Sequence, residues 1–351
     1  MTRKLGQARG LPRAVGFRMP AEWEPHEATW IAWPHNRGDW PGKFEPILWV
    51  YCEVVRALAR SERVRILVED EAAEQRARRY LRKASAEPEA VEFFRRPTDR
   101  VWTRDYCPLF VKNAKGEVAG TNWKFNGWAK YDNWRRDDAV AGAVAKRLKM
   151  REWRPGLVLE GGSIDVNGDG LLMTTEECLL SDVQARNPGL GRLEIERALR
   201  DYLGAREIIW LRNGIAGDDT HGHIDDLARF VAHDTVVIVS EDDRSDVNYA
   251  PLRENLAILK QYPLRVVKLP MPRPVIFDGQ RLPASYANFY IANRTVLVPT
   301  FNDPSDRVAL NTLARQFPDR EVAGIHAVDL VWGLGTLHCM TQQQPRGMMA
   351  Q

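Results

Sequence analysis

No apolar run in this sequence approaches the roughly 20 residues that a membrane-spanning helix needs. Cysteine is scarce. Cys52, Cys107, Cys178 and Cys339 are too few in 351 residues for a disulfide framework, and no CxxC pair suggests zinc. Free thiols in a reducing cytosol are the expectation. An excess of one charge is also lacking: 50 Lys and Arg stand against 47 Asp and Glu, for a formal net charge of +3. Arg is scattered along the chain, so neither nucleic acid nor an anionic membrane is expected as a partner. Residues 1–10 are basic without an apolar stretch. The first 15 residues read as a flexible tail and not as a secretory signal.

What the sequence does have is a rhythm. Apolar residues spaced by three and four predict helices over 71–84, 137–150, 191–203, 247–261 and 306–317, with a further one upstream at 44–60. The five starts lie 66, 54, 56 and 59 residues apart, which suggests repeats. Short apolar runs flank most of these helices and read as buried strands: 64–68 and 91–94, 171–174 and 208–211, 236–239 and 266–269, 296–298 and 322–325. The unit is therefore strand, helix, strand, then a connecting segment; the second unit is the least clear.

The connecting segments hold the unusual residues. They are Trp102-Thr103-Arg104-Asp105, Glu160-Gly161-Gly162, His221-Gly222-His223-Ile224-Asp225, Ser285-Tyr286-Ala287-Asn288 and His338-Cys339. Each follows its helix by roughly 10 to 25 residues, and units arranged around an axis would bring all five to one central cavity. An ordinary α/β sheet with its loops at one edge is the alternative.

Taken singly, these segments leave alternatives open. Cys339 follows two glycines, Gly333 and Gly335, which let backbone approach a ligand; a lone free cysteine is also a common buried hydrophobe. In an extended chain His338 would face away from Cys339. On a strand, His221, His223 and Asp225 would share one face. That set reads as metal ligands, as an acid–base histidine beside a carboxylate, or as polar residues capping a turn. Arg104-Asp105 and Glu160-Gly161-Gly162 are weak signals alone, and gain weight from equivalent places in the repeat. Most of the 12 tryptophans read as core, with one or two free to wall a cavity against a cation. Cys52, Cys107 and Cys178 read as structural.

Together the segments resemble the agmatine deiminase / bacterial peptidylarginine deiminase family, within the guanidino-group-modifying (pentein) superfamily. The matching stretches run from Arg18-Met-Pro-Ala-Glu-Trp-Glu-Pro-His-Glu27 through Trp102-Thr-Arg-Asp105, Phe125-Asn-Gly-Trp128, Leu159-Glu-Gly-Gly-Ser163 and Thr174-Thr-Glu-Glu-Cys-Leu-Leu180. They continue through Asp219-Thr-His-Gly-His-Ile-Asp225 and Ala284-Ser-Tyr-Ala-Asn-Phe-Tyr290 to His338-Cys-Met-Thr-Gln-Gln-Gln-Pro345. The resemblance implies a single catalytic domain over 1–351, a five-bladed α/β propeller with its site on the axis, and neither metal nor cofactor. It implies Cys339 as nucleophile, His223 as acid–base, and Asp105 and Asp225 as guanidinium-binding carboxylates. Glu160 would hold the guanidinium or support His223. Asn288, Trp102 and Trp128 would complete the substrate site. A cytoplasmic enzyme, possible as a homodimer, is implied with them.

The reaction implied is hydrolysis of agmatine to N-carbamoylputrescine and ammonia through an amidino-cysteine intermediate, toward putrescine. One departure bears on the substrate. Where the family pattern has a Gly-Gly pair after Phe125-Asn-Gly-Trp128, this chain reads Ala129-Lys130-Tyr131-Asp132-Asn133. Arginine, free or at a peptide C-terminus, is therefore a competitor that would give citrulline. Lys130, Arg135 and Arg136 are candidates to anchor its carboxylate. A metallohydrolase built on His221, His223 and Asp225 is the reading from a different class.

Overall fold

A computed structural model describes residues 10–86 and 89–351. The expected helices occur as Phe44–Leu58, Glu71–Lys83, Val140–Leu148, Arg192–Leu203, Tyr249–Leu259 and Ser305–Gln316. Each forms because an apolar stripe has a surface to cover. In Phe44–Leu58 the buried set Ile47, Leu48, Tyr51, Val55 and Leu58 recurs at steps of three and four. The ends carry chemical signals. The Asp70 side chain accepts the Ala73 N–H (2.7 Å) where Glu71–Lys83 begins. Gly204, at φ 74°, closes Arg192–Leu203.

The expected helix 137–150 is broken. Arg135–Asp138 forms a separate turn before Val140–Leu148. Asp137 accepts the N–H groups of Asp99 (2.7 Å) and Arg100 (3.3 Å), and Asp138 accepts that of Phe125 (2.8 Å), so this turn is tied to two neighbouring loops.

The fold is mixed α/β, and four of its sheets share one pattern: an antiparallel pair, a helical crossover, and a third strand parallel to the second. The first is Leu109–Lys112, Glu117–Thr121 and Glu152–Trp153. The second is Asp165–Val166, Leu171–Thr175 and Glu207–Leu211. The third is Ala228–Ala232, Thr235–Ser240 and Arg265–Pro270. The fourth is Tyr290–Ile291, Thr295–Thr300 and Glu321–His326. The faintness of the second sequence unit has a cause: its last strand is only Glu152–Trp153.

A fifth sheet departs from the pattern. His26–Ala32, Arg63–Val68 and Val91–Arg95 are all parallel, joined by the helices Phe44–Leu58 and Glu71–Lys83. Its antiparallel strand is Gln342–Pro345, from the far end of the chain, with Trp30 opposite Gln342. Trp30 Nε1 also donates to Gln344 Oε1 (3.0 Å). Central strands such as Thr235–Ser240 are covered on both faces, so they read as continuous apolar runs and not as alternations.

Of the tail expected over 1–15, residues 1–9 lie outside the described residues. The rest is held against the body. Arg13–Val15 makes a 3-10 turn ending at Gly16, and Trp153 Nε1 donates to the Gly10 carbonyl (2.7 Å). No helix among the described residues is long and apolar enough to cross a membrane.

Candidate active site

Each of the five connecting segments lies between the last parallel strand of one sheet and the strand that opens the next, the fourth after an intervening hairpin of Ile276–Phe277 and Gln280–Arg281. Asp105 lies on the short helix Thr103–Tyr106, between Val91–Arg95 and Leu109–Lys112. Glu160 precedes the turn Gly161–Ser163, and His223 precedes Ile224–Asp226, which contains Asp225. Asn288 precedes Tyr290–Ile291, and Cys339 precedes Gln342–Pro345. All six side chains are buried.

The structure brings them together. His223 Nδ1 lies 4.0 Å from Asp105 Oδ1 and 3.9 Å from Asp225 Oδ1, and its Nε2 lies 3.8 Å from Glu160 Oε2. Cys339 Sγ is 3.7 Å from Asp225 Oδ2 and accepts a hydrogen bond from Asn288 Nδ2 (3.1 Å). The other end of the Asn288 amide accepts from Thr336 Oγ1 (2.7 Å) and the His338 N–H (3.0 Å), which fixes the loop that carries the thiol. Asp105 is clamped by Trp128 Nε1 (2.9 Å) and the Gly162 N–H (3.0 Å). Gly162 has to be glycine: an added Cβ would lie 2.6 Å from His223 Nδ1, 2.9 Å from Asp105 Oδ1 and 3.0 Å from Asp225 Oδ2.

Four buried polar atoms at this meeting point have no protein partner: both His223 nitrogens, Asp225 Oδ1 and Glu160 Oε2. Buried polar atoms are nearly always paired. Two unpaired carboxylate acceptors on either side of one imidazole suit a ligand rich in N–H donors.

The electrostatics are strongly perturbed. Burial raises the Asp105 carboxyl to about 6, with Asp225 and Glu160 adding to the rise and His223 opposing it. Burial works against charge on Glu160 too, but the Arg186 guanidinium (Nε to Oε1, 2.9 Å) and His223 overcome it and hold this group at about 2. For His223 burial favours the neutral ring; Asp105, Cys178 and Glu160 outweigh it and raise the imidazole well above its ordinary value. Burial and then Asp225, Asp226 and Asp105 push the Cys339 thiol well up.

A cavity of about 390 Å³ opens onto this cluster. Asp105, Trp102, Trp128 and Cys339 line it, whereas His223, Glu160, Asp225 and Asn288 stand behind that surface. Among its lining residues Arg100 is the one Lys or Arg. Arg100 is engaged by Asp39 (3.1 Å) and Asn133 (2.9 Å) and lies over the Tyr131 ring. None of the three proposed carboxylate anchors lines the cavity: Lys130 is next to it but pairs with the lining residue Asp219, Arg135 stacks on Trp134, and Arg136 reaches toward Glu69 and Asp99.

Two sequence expectations fail locally. The segment 221–225 is not a strand. His221 and Gly222 turn at φ 63° and 92°, and residues 224–226 form a 3-10 turn. Asp218 causes this, because its Oδ2 accepts the N–H groups of Gly222 (2.7 Å) and His223 (3.0 Å). His221 is thereby sent to Ser181 (3.1 Å) and Glu177 (3.8 Å), away from His223, so the metal set His221–His223–Asp225 does not assemble. Nor is the chain extended at 338–339. It turns there, and both side chains meet Asp225.

Residues 18–345 match the model of the Porphyromonas-type peptidyl-arginine deiminase family. The chain belongs to that family. An agmatine deiminase of Pseudomonas aeruginosa (strain LESB58) is 39% identical over 364 residues, covering 95% of this chain and 97% of the relative. The solved agmatine deiminase of Enterococcus faecalis superposes with a TM-score of 0.90 at 32% identity, covering 99% of this chain and 100% of that one. A cysteine-to-serine agmatine deiminase of C. jejuni with substrate bound gives 0.87 at 30% identity, over 95% and 97%.

In this deiminase-family chain, sequence reasoning missed three residues at the site. Glu22 is buried and pairs with Arg104 (3.1 Å), Arg229 (2.9 Å) and His338 (2.8 Å). His338 links Glu22 to Asp225. Cys178 lies within 4.8 Å of the ligand atoms of Glu160 and His223. All three stand inside matched stretches, 18–27, 338–345 and 174–180, which were the available signal; Cys178 was read as structural.

Proposed function

We propose that this protein is an agmatine deiminase, hydrolysing agmatine to N-carbamoylputrescine and ammonia with Cys339 as nucleophile. The observation that carries this reading is the set of unpartnered buried acceptors, Asp225 Oδ1 and Glu160 Oε2, beside Asp105 and one thiol. A guanidinium is a planar cation with outward N–H groups. Carboxylates hold it in a fixed plane, with its carbon toward Sγ.

The protonation states define the order of events. At rest His223 carries a proton and Cys339 is a thiol, given the directions of their shifts. A bound guanidinium offsets the carboxylates beside Sγ, so the thiol ionises as substrate arrives and its proton leaves to solvent. Sγ attacks the guanidinium carbon. His223 gives its proton to the departing nitrogen, the C–N bond breaks, and ammonia leaves an amidino-thioether. Neutral His223 then takes a proton from water. The hydroxyl adds to the same carbon, the C–S bond breaks as the hydroxyl proton passes to solvent, and the ureido product leaves with the thiolate restored.

Agmatine is favoured over arginine by the lining of the cavity. Arginine brings a carboxylate, and the one lining guanidinium, Arg100, is already paired with Asp39. Asp219, which also lines the cavity, pairs with Lys130, so among the described residues the lining offers no unpaired cation to an arginine carboxylate. Within this reading the five sheets are the blades of a pentein propeller closed by the pairing of His26–Ala32 with Gln342–Pro345, and 1–351 is one catalytic unit. The reading also carries a cytoplasmic location and a homodimer.

The test is release of ammonia and ureido product from agmatine, arginine and a peptide ending in arginine, with wild-type protein and Cys339→Ser. Turnover of agmatine that vanishes in Cys339→Ser is expected. Turnover of arginine forms alone would move the substrate to the peptidyl-arginine side of the family. Substantial activity in Cys339→Ser would overturn the mechanism.

A further inference from the structure

We propose that Glu160, Cys178 and His223 form an inhibitory site for one zinc ion. The cluster shares only His223 with the His221–His223–Asp225 set, and Cys178 has no part in the reaction described above. A thiol, an imidazole and a carboxylate offer ligand atoms that all lie within 4.8 Å of one another. Sulfur, nitrogen and oxygen from three protein groups, with one open position, is a donor set that zinc takes up readily.

Two observations point to a ligand. All three residues are buried, and Glu160 Oε2 and the ring nitrogens of His223 have no protein hydrogen-bond partner. The Nε2 to Oε2 separation is 3.8 Å, and tetrahedral zinc with its usual bond lengths needs edges of about 3.5 Å. The thiol lies within 4.8 Å of both atoms, so zinc binding requires the three side chains to draw together by up to about 1 Å. The site is pre-formed by its neighbours. Arg186 holds Glu160 through Oε1 and leaves Oε2 facing inward, and Cys178 is fixed at the start of Glu176–Leu180, where its N–H meets Thr175 Oγ1 (3.0 Å). On binding, the Cys178 thiol and the His223 imidazolium each give a proton to solvent, and thiolate plus carboxylate balance the dication.

The consequence is inhibition. Zinc would occupy the nitrogen lone pair that His223 needs to take and give a proton. This part rests on the deiminase reading; binding itself does not.

The experiment titrates zinc sulfate into the metal-free full-length chain by calorimetry, for wild type, Cys178→Ser and Cys339→Ser. One zinc per chain is expected, held about tenfold or more weakly by Cys178→Ser and nearly unchanged in Cys339→Ser. Cobalt(II) added to Cys339→Ser should give a thiolate-to-metal charge-transfer band, and this reading stands even if Cys178→Ser fails to fold. Absence of stoichiometric binding overturns the proposal. So does binding lost in Cys339→Ser and kept in Cys178→Ser, which would place the ion on the nucleophile. Zinc should also stop agmatine turnover, with EDTA restoring it. Binding without any agmatine turnover would leave the metal site standing and sink the substrate assignment alone.

Discussion

His338 Nδ1 lies 2.7 Å from Asp225 Oδ2, and through this contact the residue before Cys339 orients a carboxylate at the heart of the site. The ring is held from behind by Glu22, 2.8 Å from Nε2. Glu22 in turn bonds Arg104, Arg229 and the Ile291 N–H. Burial works against charge on Glu22, yet these cations keep its carboxyl well below the usual range. Glu22→Gln keeps the shape and removes the charge. Misplacing a binding carboxylate by about 1 Å costs on the order of 10²-fold, so kcat/KM for agmatine should fall by about that much. An unchanged kcat/KM in a folded Glu22→Gln protein would show that Asp225 needs no such support.

Gly162 gives a second prediction, steric in origin. An added methyl would lie 2.6 to 3.0 Å from three side chains, His223, Asp105 and Asp225, all of them buried. Gly162→Ala should therefore keep its circular dichroism spectrum and lose nearly all turnover. Binding of a guanidinium inhibitor should be lost with it, since the methyl occupies the space between Asp105 and Asp225.

The pair Arg186–Glu160 is a matter of stability as well as chemistry. Both side chains are fully buried. Removing one partner of such a pair leaves an uncompensated charge and costs roughly 3–5 kcal/mol. Arg186→Met should unfold at correspondingly lower urea. Glu160 is held down at about 2 in the folded protein, below its unfolded value, so its contribution to stability is complete above the unfolded pKa. That contribution fades as pH falls toward 2. The stability difference between wild type and Arg186→Met should narrow over the same range, which urea midpoints at several pH values would measure.

Much of this arrangement was legible in the sequence. The helices 71–84 and 191–203 and the strands 236–239 and 322–325 all stand within a residue or two of their expected limits, because their apolar residues mark them off from the polar turns on either side. The connecting segments were legible as sites for the same reason, since their polar residues interrupt an otherwise regular pattern. Three things were not. The turn at His221 depends on Asp218, whose side chain replaces a strand partner and leaves no mark in hydrophobic spacing. The Glu22–His338–Asp225 connection spans 316 residues of chain between its first two members, beyond the reach of any local pattern. Cys178 lies at a helical position that also suits a core residue, and only its neighbours distinguish the two.

The acid limb of the pH profile should belong to Asp105. Its carboxyl titrates at about 6 in the free protein because burial and two neighbouring carboxylates disfavour its charge. Guanidinium binding needs the ionised form, so kcat/KM should drop by about tenfold per pH unit below that value. Bound substrate is a cation and stabilises the carboxylate, so the corresponding limb in kcat should move to lower pH. Trp128 supplies the control. Its indole N–H donates to Asp105 Oδ2 at 2.9 Å and lowers the carboxyl's pKa. Trp128→Phe removes that donor and keeps an aromatic wall, so the limb in kcat/KM should shift upward. A limb that stays in place in Trp128→Phe would mean that some other group controls it, with Asp39, also raised to about 6 by burial and lining the same cavity, the next to test.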